Sequence, residues 1–160
     1  MAPENADIAA GTAARPLRSG LLQDDDLSPV EHGDPAKLLI VEDDFLLSMD
    51  IETALVSAGY DVIGNVKTAQ DAVKSVANER PHLAIMDIRL DGKHDGIDAA
   101  LVMFRAYGVR CVFATGHADP HTRARAEPAA PLGWITKPFT INALLSVVER
   151  ALKEIDREVE

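Results

Sequence analysis

The sequence predicts an α/β protein: an open, doubly wound sheet of five parallel strands, preceded by an N-terminal extension. Two observations carry this. From Lys37 on, short apolar runs of strand length alternate five times with longer segments whose apolar residues recur at helical spacing. The short runs are continuously apolar, as in parallel strands covered on both faces. Composition agrees. A chain of 160 residues with 47% hydrophobic and 26% charged residues is ordinary for a globular domain and long enough to bury a core.

Residues 1–36 show no sustained period. They are rich in Ala, Pro, Gly and Asp, with seven acids against two arginines, a composition expected to stay mostly disordered. Within them Leu21, Leu22 and Leu27 are candidate docking residues. The first strand is KLLIV, from Lys37. DFLLSMDIETALVSAG follows with helical spacing. It places Leu46, Met49, Ile51, Leu55 and Val56 mainly on one face, with Asp44 as N-cap and Gly59 as the C-terminal stop. YDVIGNV is the second strand. TAQDAVKSVANE is the second helix, opened by a capping-box pattern at Thr68 and Asp71 and closed before Pro81. HLAIM is the third strand. DGIDAALVMFRAYG is the third helix, with Asp95 as N-cap, and VRCVFAT is the fourth strand. DPHTRARAE starts a fourth helix well, with Asp119 as N-cap and Pro120 at the first helical position. Pro128 and Pro131 then cut it short. LGWIT is the fifth strand. The last helix carries Ile141, Leu144, Leu145, Val148, Leu152 and Ile155 on one stripe.

The net charge is -10, from 16 basic and 26 acidic residues, which disfavours non-specific binding to nucleic acid or to an anionic membrane. The single cysteine, Cys111, sits in an apolar run and reads as a small buried hydrophobe rather than a nucleophile. No stretch approaches a membrane span, and the N-terminus lacks a secretory pattern. The expected location is cytoplasmic.

Open sheets of this class bind ligands beyond the carboxyl ends of their strands. The first strand ends in Glu42, Asp43 and Asp44. The third ends in Asp87, the fourth in Thr115, and the fifth in Thr136 and Lys137. Acids, a hydroxyl and an ammonium therefore gather on one edge. Carboxylates that close repel one another by about 4 kcal/mol per pair at roughly 4 Å and an effective dielectric near 20. Such a cluster calls for a cation, and an all-oxygen donor set suits Mg2+. With Lys137 and Thr115 opposite, this is equipment for phosphoryl transfer, where positioning and charge stabilisation do most of the catalysis.

Over roughly residues 37–156 the chain resembles the response-regulator receiver domains of two-component systems, which leaves residues 157–160 as a tail. LLIVEDD matches the family's acidic pair, as Glu42 and Asp43. Asp87 matches the phosphorylated aspartate, Thr115 the switch hydroxyl, and TKPF the lysine–proline pair Lys137 and Pro138. The spacings of 44, 28 and 22 residues between Asp43, Asp87, Thr115 and Lys137 are those of the family. The resemblance implies a CheY-like, flavodoxin-like (βα)5 fold. It implies phosphoryl transfer from a sensor histidine kinase or phosphotransfer protein onto Asp87, with Thr115 and Lys137 assisting. Mg2+ would be held by Glu42, Asp43, Asp87 and the backbone carbonyl of Arg89. Thr115 and Trp134 would form the switch, and Arg89 and His117 would tune dephosphorylation. The Lys137–Pro138 bond is expected to be cis. Such a protein catalyses only its own phosphorylation and dephosphorylation, so it is a signalling protein rather than an enzyme with an external substrate.

No output or DNA-binding domain follows the last helix in this sequence. A stand-alone regulator is therefore expected, acting on an unknown downstream protein through contacts or phosphate relay. FATGH partly resembles the Phe-Ala-Thr-Gly motif of an alphaproteobacterial single-domain subgroup, although that motif's downstream tyrosine is missing. His82, His94 and His121 read as solvated. Three competing classes fit less well. A flavodoxin-like cofactor binder would need Ser, Thr and Gly in its first loop, where EDDFLL repels phosphate. An aspartyl-phosphate phosphohydrolase needs its nucleophile after the first strand. A pseudo-receiver that only binds would not need the full set of acids, hydroxyl and lysine.

Overall fold

The structure, a computed structural model, describes residues 33–159. Most of the 1–36 extension, with Leu21, Leu22 and Leu27, lies outside the described residues. The strands are β1 (Lys37–Val41), β2 (Asp61–Val66), β3 (Leu83–Met86), β4 (Cys111–Thr115) and β5 (Gly133–Thr136). The helices are α1 (Phe45–Ser57), α2 (Ala69–Asn78), α3 (Gly96–Tyr107), α4 (Pro120–Ala126) and α5 (Ile141–Val159). All strand pairs are parallel, in the order β2-β1-β3-β4-β5. The chain leaves β1 toward β2 and returns to β3 on the opposite side. The strand order therefore reverses between β1 and β3, where such sheets open a crevice.

Successive strand residues point to opposite faces, and this sorts the helices. Leu38, Ile40, Ile85, Val112 and Ala114 pack with α1 and α5 through Ile51, Leu55, Leu144 and Val148. Leu39, Val41, Met86, Cys111 and Phe113 pack with α2, α3 and the end of α4 through Ala72, Val76, Ile97, Met103 and Ala126. Each fully buried Leu, Ile or Phe contributes about 1.5–3 kcal/mol relative to exposure. Cys111 is buried, and burial pushes its thiol up to about 12, so it is packing rather than chemistry.

Most helix ends follow the sequence. Asp44 accepts from the Leu47 amide and Thr68 from the Asp71 amide. Asp119 accepts from Thr122, with Pro120 in the first turn. Gly59, just past α1, takes φ +96°, a conformation a side chain would resist. At α3 the cap is more complete than expected. Asp95 and Asp98 form a reciprocal capping box, each carboxylate accepting from the other's amide. The fourth helix is short, as Pro128 and Pro131 require. It is seven residues long and passes into a 3-10 turn, Glu127–Ala129. The Lys137–Pro138 peptide is cis.

Two expectations need correction. On α1 the buried residues are Ser48, Ile51 and Leu55, while Leu46 is 74% exposed and Met49 and Val56 also face outward. Positions 48, 51 and 55 make one stripe and 46, 49 and 56 another, about half a turn away. The helix is apolar on two faces, and only one meets the sheet. On α5, Ile141, the first residue of the helix, is exposed. Val147 and Ala151 instead join Leu144 and Val148 in the core.

Candidate functional site

Four strand ends bring the site together. Beyond β1, Glu42 is only 2% exposed, and its Oε2 accepts from the Asp44 amide at 3.0 Å, which shapes the turn into α1. Beyond β3, Asp87 is 6% exposed. Its amide donates to the Val41 carbonyl at 2.9 Å, pinning it beside the acidic turn. Thr115 closes β4, 4% exposed, with its hydroxyl donating to the His117 carbonyl at 3.3 Å. Lys137 follows β5, its amide held by the Thr115 carbonyl at 2.8 Å. These residues line a cavity of about 510 Å³, with Arg89, Gly116 and His117 in its wall. A larger groove of about 740 Å³ lies against α5. Two of its cations, Arg110 and Arg157, are already paired, with Glu158 and Glu154.

The Lys137 ammonium lies 2.7 Å from Glu42 Oε1 and 3.3 Å from Asp87 Oδ2. One carboxylate oxygen from each of Glu42, Asp43 and Asp87 falls within 4.8 Å of the others. Three acids thus face one ammonium. Burial pushes the Glu42 carboxyl up, although Lys137 and the Asp44 amide oppose it. Asp87 is raised by burial and by the charge of Asp43, with Lys137 opposing. Asp43 is raised by burial and then by the charges of Glu42 and Asp91. Lys137 loses some basicity to burial, but Glu42 and Asp87 more than restore it, and its pKa lies above the ordinary value.

The donor set fits a hard divalent cation. Every candidate donor is oxygen, and the three carboxylates share a single ammonium, which leaves the cluster short of positive charge. The same crowding implies a cost to stability without metal. Asp43→Asn, which removes one repelling charge at a partly exposed position, is expected to raise the metal-free melting temperature by about 3 °C. It is also expected to remove most of the stabilisation that added Mg2+ gives the unaltered chain. Thermal melts with and without Mg2+ check both.

The structure gathers Glu42, Asp43, Asp87, Thr115 and Lys137, with Arg89 and His117 at the rim. The exposed His117 ring pairs with Asp119 at 3.3 Å. Trp134 lies apart from the cavity. It is half-buried on the α3–α4 side, with its ring 4.8 Å from Phe113 and the Arg123 guanidinium 4.5 Å over it. Sequence reading missed Gly96. A Cβ there would stand 2.0 Å from the Asp87 carbonyl oxygen. The Asp-Gly pair ahead of an apolar helix was the available signal, but only packing reveals the close approach.

A five-stranded parallel sheet in this order, with an acidic, lysine-bearing crevice at its strand reversal, is the architecture of the CheY-like, flavodoxin-like α/β folds. The chain belongs to the response regulator receiver domain family, whose model matches residues 38–149. It is 32% identical over 125 residues to the transcriptional regulatory protein PdtaR of Mycobacterium tuberculosis, covering 78% of this chain and 60% of that protein. It is 34% identical over 118 residues to the phyllosphere-induced regulator PhyR of Methylorubrum extorquens, covering 72% of this chain and 43% of that one. The chain thus spans only about half the length of these curated relatives. A CheY-like receiver domain protein from Methanospirillum hungatei superposes with a TM-score of 0.73 at 25% identity, covering 78% of this chain and 99% of that structure. Receiver domains of two-component systems bind Mg2+ at an acidic pocket of this kind. Among the described residues no helix is long and apolar enough to cross a membrane.

Proposed function

We propose that the chain is a response-regulator receiver that accepts a phosphoryl group onto Asp87 from the phosphohistidine of a sensor kinase or phosphotransfer protein. An Asp87 oxygen forms the new O–P bond while the P–N bond breaks and its electron pair leaves with the imidazole nitrogen. Glu42, Asp43, Asp87 and the Arg89 carbonyl would hold Mg2+, which would supply positive charge beside the phosphoryl oxygens. Lys137 adds charge from the β5 side, and the Thr115 hydroxyl turns from the His117 carbonyl to donate to a phosphoryl oxygen. Arg89 and His117, at the mouth, tune the access of hydrolytic water. The observation that carries this reading is the burial of Asp87 between the acidic turn and the Lys137 ammonium. The phosphorylated form then acts in the cytoplasm on a downstream protein, or passes the phosphoryl group on.

The readout proposed is Trp134. It pairs with Phe113 across β4 and β5, two residues before the Thr115–Thr136 pair, and it lies under Arg123 of α4. A movement of Thr115 or α4 therefore changes the indole's surroundings. Beryllofluoride with Mg2+, a mimic of the acyl phosphate, is expected to change Trp134 emission. The change should vanish in Asp87→Asn and weaken in Thr115→Ala. An unchanged spectrum with the mimic bound would remove Trp134 from the switch.

A further inference from the structure

Arg125, on α4, reaches across to the start of α3. Its Nη1 is 3.0 Å from Asp95 Oδ2, and its Nη2 donates to Asp95 Oδ1 at 3.1 Å. Asp98 Oδ1 stands 3.6 Å from the same Nη2. These two acids are the reciprocal cap of α3. The guanidinium therefore grips the cap in the two-pronged geometry that arginine alone provides. Burial works against the Asp95 charge, but Arg125 and the Asp98 amide outweigh it and hold the carboxyl below the usual range.

The residue after Asp95 is Gly96. Its amide donates to the Ile88 carbonyl at 2.7 Å. Its α-carbon lies so close to Asp87 that an added Cβ would meet the Asp87 carbonyl oxygen at 2.0 Å and the carbonyl carbon at 2.9 Å. The path from α4 to Asp87 thus runs through one bidentate ion pair, one helix cap and one backbone contact. Meanwhile α4 has few other anchors: Ala126 is its only buried residue.

We propose that Arg125 is a positioning residue for Asp87. By holding the Asp95–Asp98 cap, it keeps Gly96 seated against the Asp87 backbone, so the placement of α4 sets how readily Asp87 takes up a phosphoryl group. This rests on the reading of Asp87 as the phosphoacceptor.

The test uses the full chain, Arg125→Ala and Arg125→Lys. The Arg125 side chain is 40% exposed, so neither substitution opens the core. Two quantities are measured: the rate of Asp87 labelling by acetyl phosphate with Mg2+, and the hydrogen-exchange rate of the Gly96 amide by NMR. In Arg125→Ala, labelling is expected to slow about fivefold, the ratio that an exposed bidentate pair can supply. Gly96 exchange should speed up by a similar factor. Arg125→Lys should recover part of both. Unchanged labelling overturns the proposal, whatever the exchange does. Slowed labelling with unchanged Gly96 exchange also overturns it, because the effect would then bypass the clamp. Absence of label in the unaltered chain would overturn the phosphoacceptor reading itself, and faster Gly96 exchange in Arg125→Ala would still identify the clamp.

Discussion

Gly96→Ala is expected to lower the melting temperature by roughly 5–10 °C and to slow phosphoryl labelling more than tenfold, in a chain that still folds. The three atoms a Cβ would meet are all backbone: the Asp87 carbonyl oxygen and carbon, and the Ile88 α-carbon. No flexible side chain is available to give way. Either α3 withdraws from the sheet or the Asp87 segment shifts. Overpacking of this kind costs about 1–3 kcal/mol. The catalytic loss should be larger than the stability loss, because a displacement of about 1 Å at a reacting group can cost a hundredfold. Paired melts and acetyl phosphate labelling check the two effects together. Labelling at the normal rate would show that the Gly96 contact does not place Asp87.

Lys137→Met should carry the second large effect, and its size depends on pH. The ammonium is the nearest counter-charge to both Glu42 and Asp87. Removing one partner of a buried pair costs about 3–5 kcal/mol. Burial already holds both carboxyls above their ordinary range in the folded chain. A group raised by folding binds more protons folded than unfolded. Its stabilising contribution is full below the unfolded pKa and is lost as pH rises through the folded pKa. The loss in Lys137→Met should therefore be greatest at neutral pH and above, and should shrink as the solution is acidified. Mg2+ should recover part of it at neutral pH by replacing the missing charge. Denaturant melts across pH, with and without Mg2+, measure this. A deficit that grows on acidification would contradict the account of the site's charge.

Much of the site was legible before the fold, because it depends on strand ends. The acids after KLLIV, Asp87 after LAIM, Thr115 and Lys137 each follow an apolar run of strand length. A parallel sheet sends all such ends to one edge. Caps were legible too, since Asp44, Thr68 and Asp119 act through neighbours three residues away. What escaped was set by packing between distant segments. The outward stripe of α1, Leu46, Met49 and Val56, is more apolar than the inward one, Ser48, Ile51 and Leu55, and only the sheet decides which is covered. The Gly96 contact depends on how closely α3 meets the β3 end. The reach of Arg125 to Asp95 spans 30 residues, and no local pattern encodes it. Trp134 lies on the strand that LGWIT predicts, but its stacking with Phe113 and Arg123 follows from the β4–β5 register and the placement of α4.

The central claim is that Asp87 takes up a phosphoryl group in a Mg2+-dependent reaction. It is tested most directly by incubating the chain with acetyl phosphate or a cognate kinase, with Mg2+ and after its removal by chelation, and mapping the label by mass spectrometry. The account predicts one phosphoryl group on Asp87, formed only when Mg2+ is present and absent in Asp87→Asn. Label that persists in Asp87→Asn, or that forms equally without Mg2+, would contradict it.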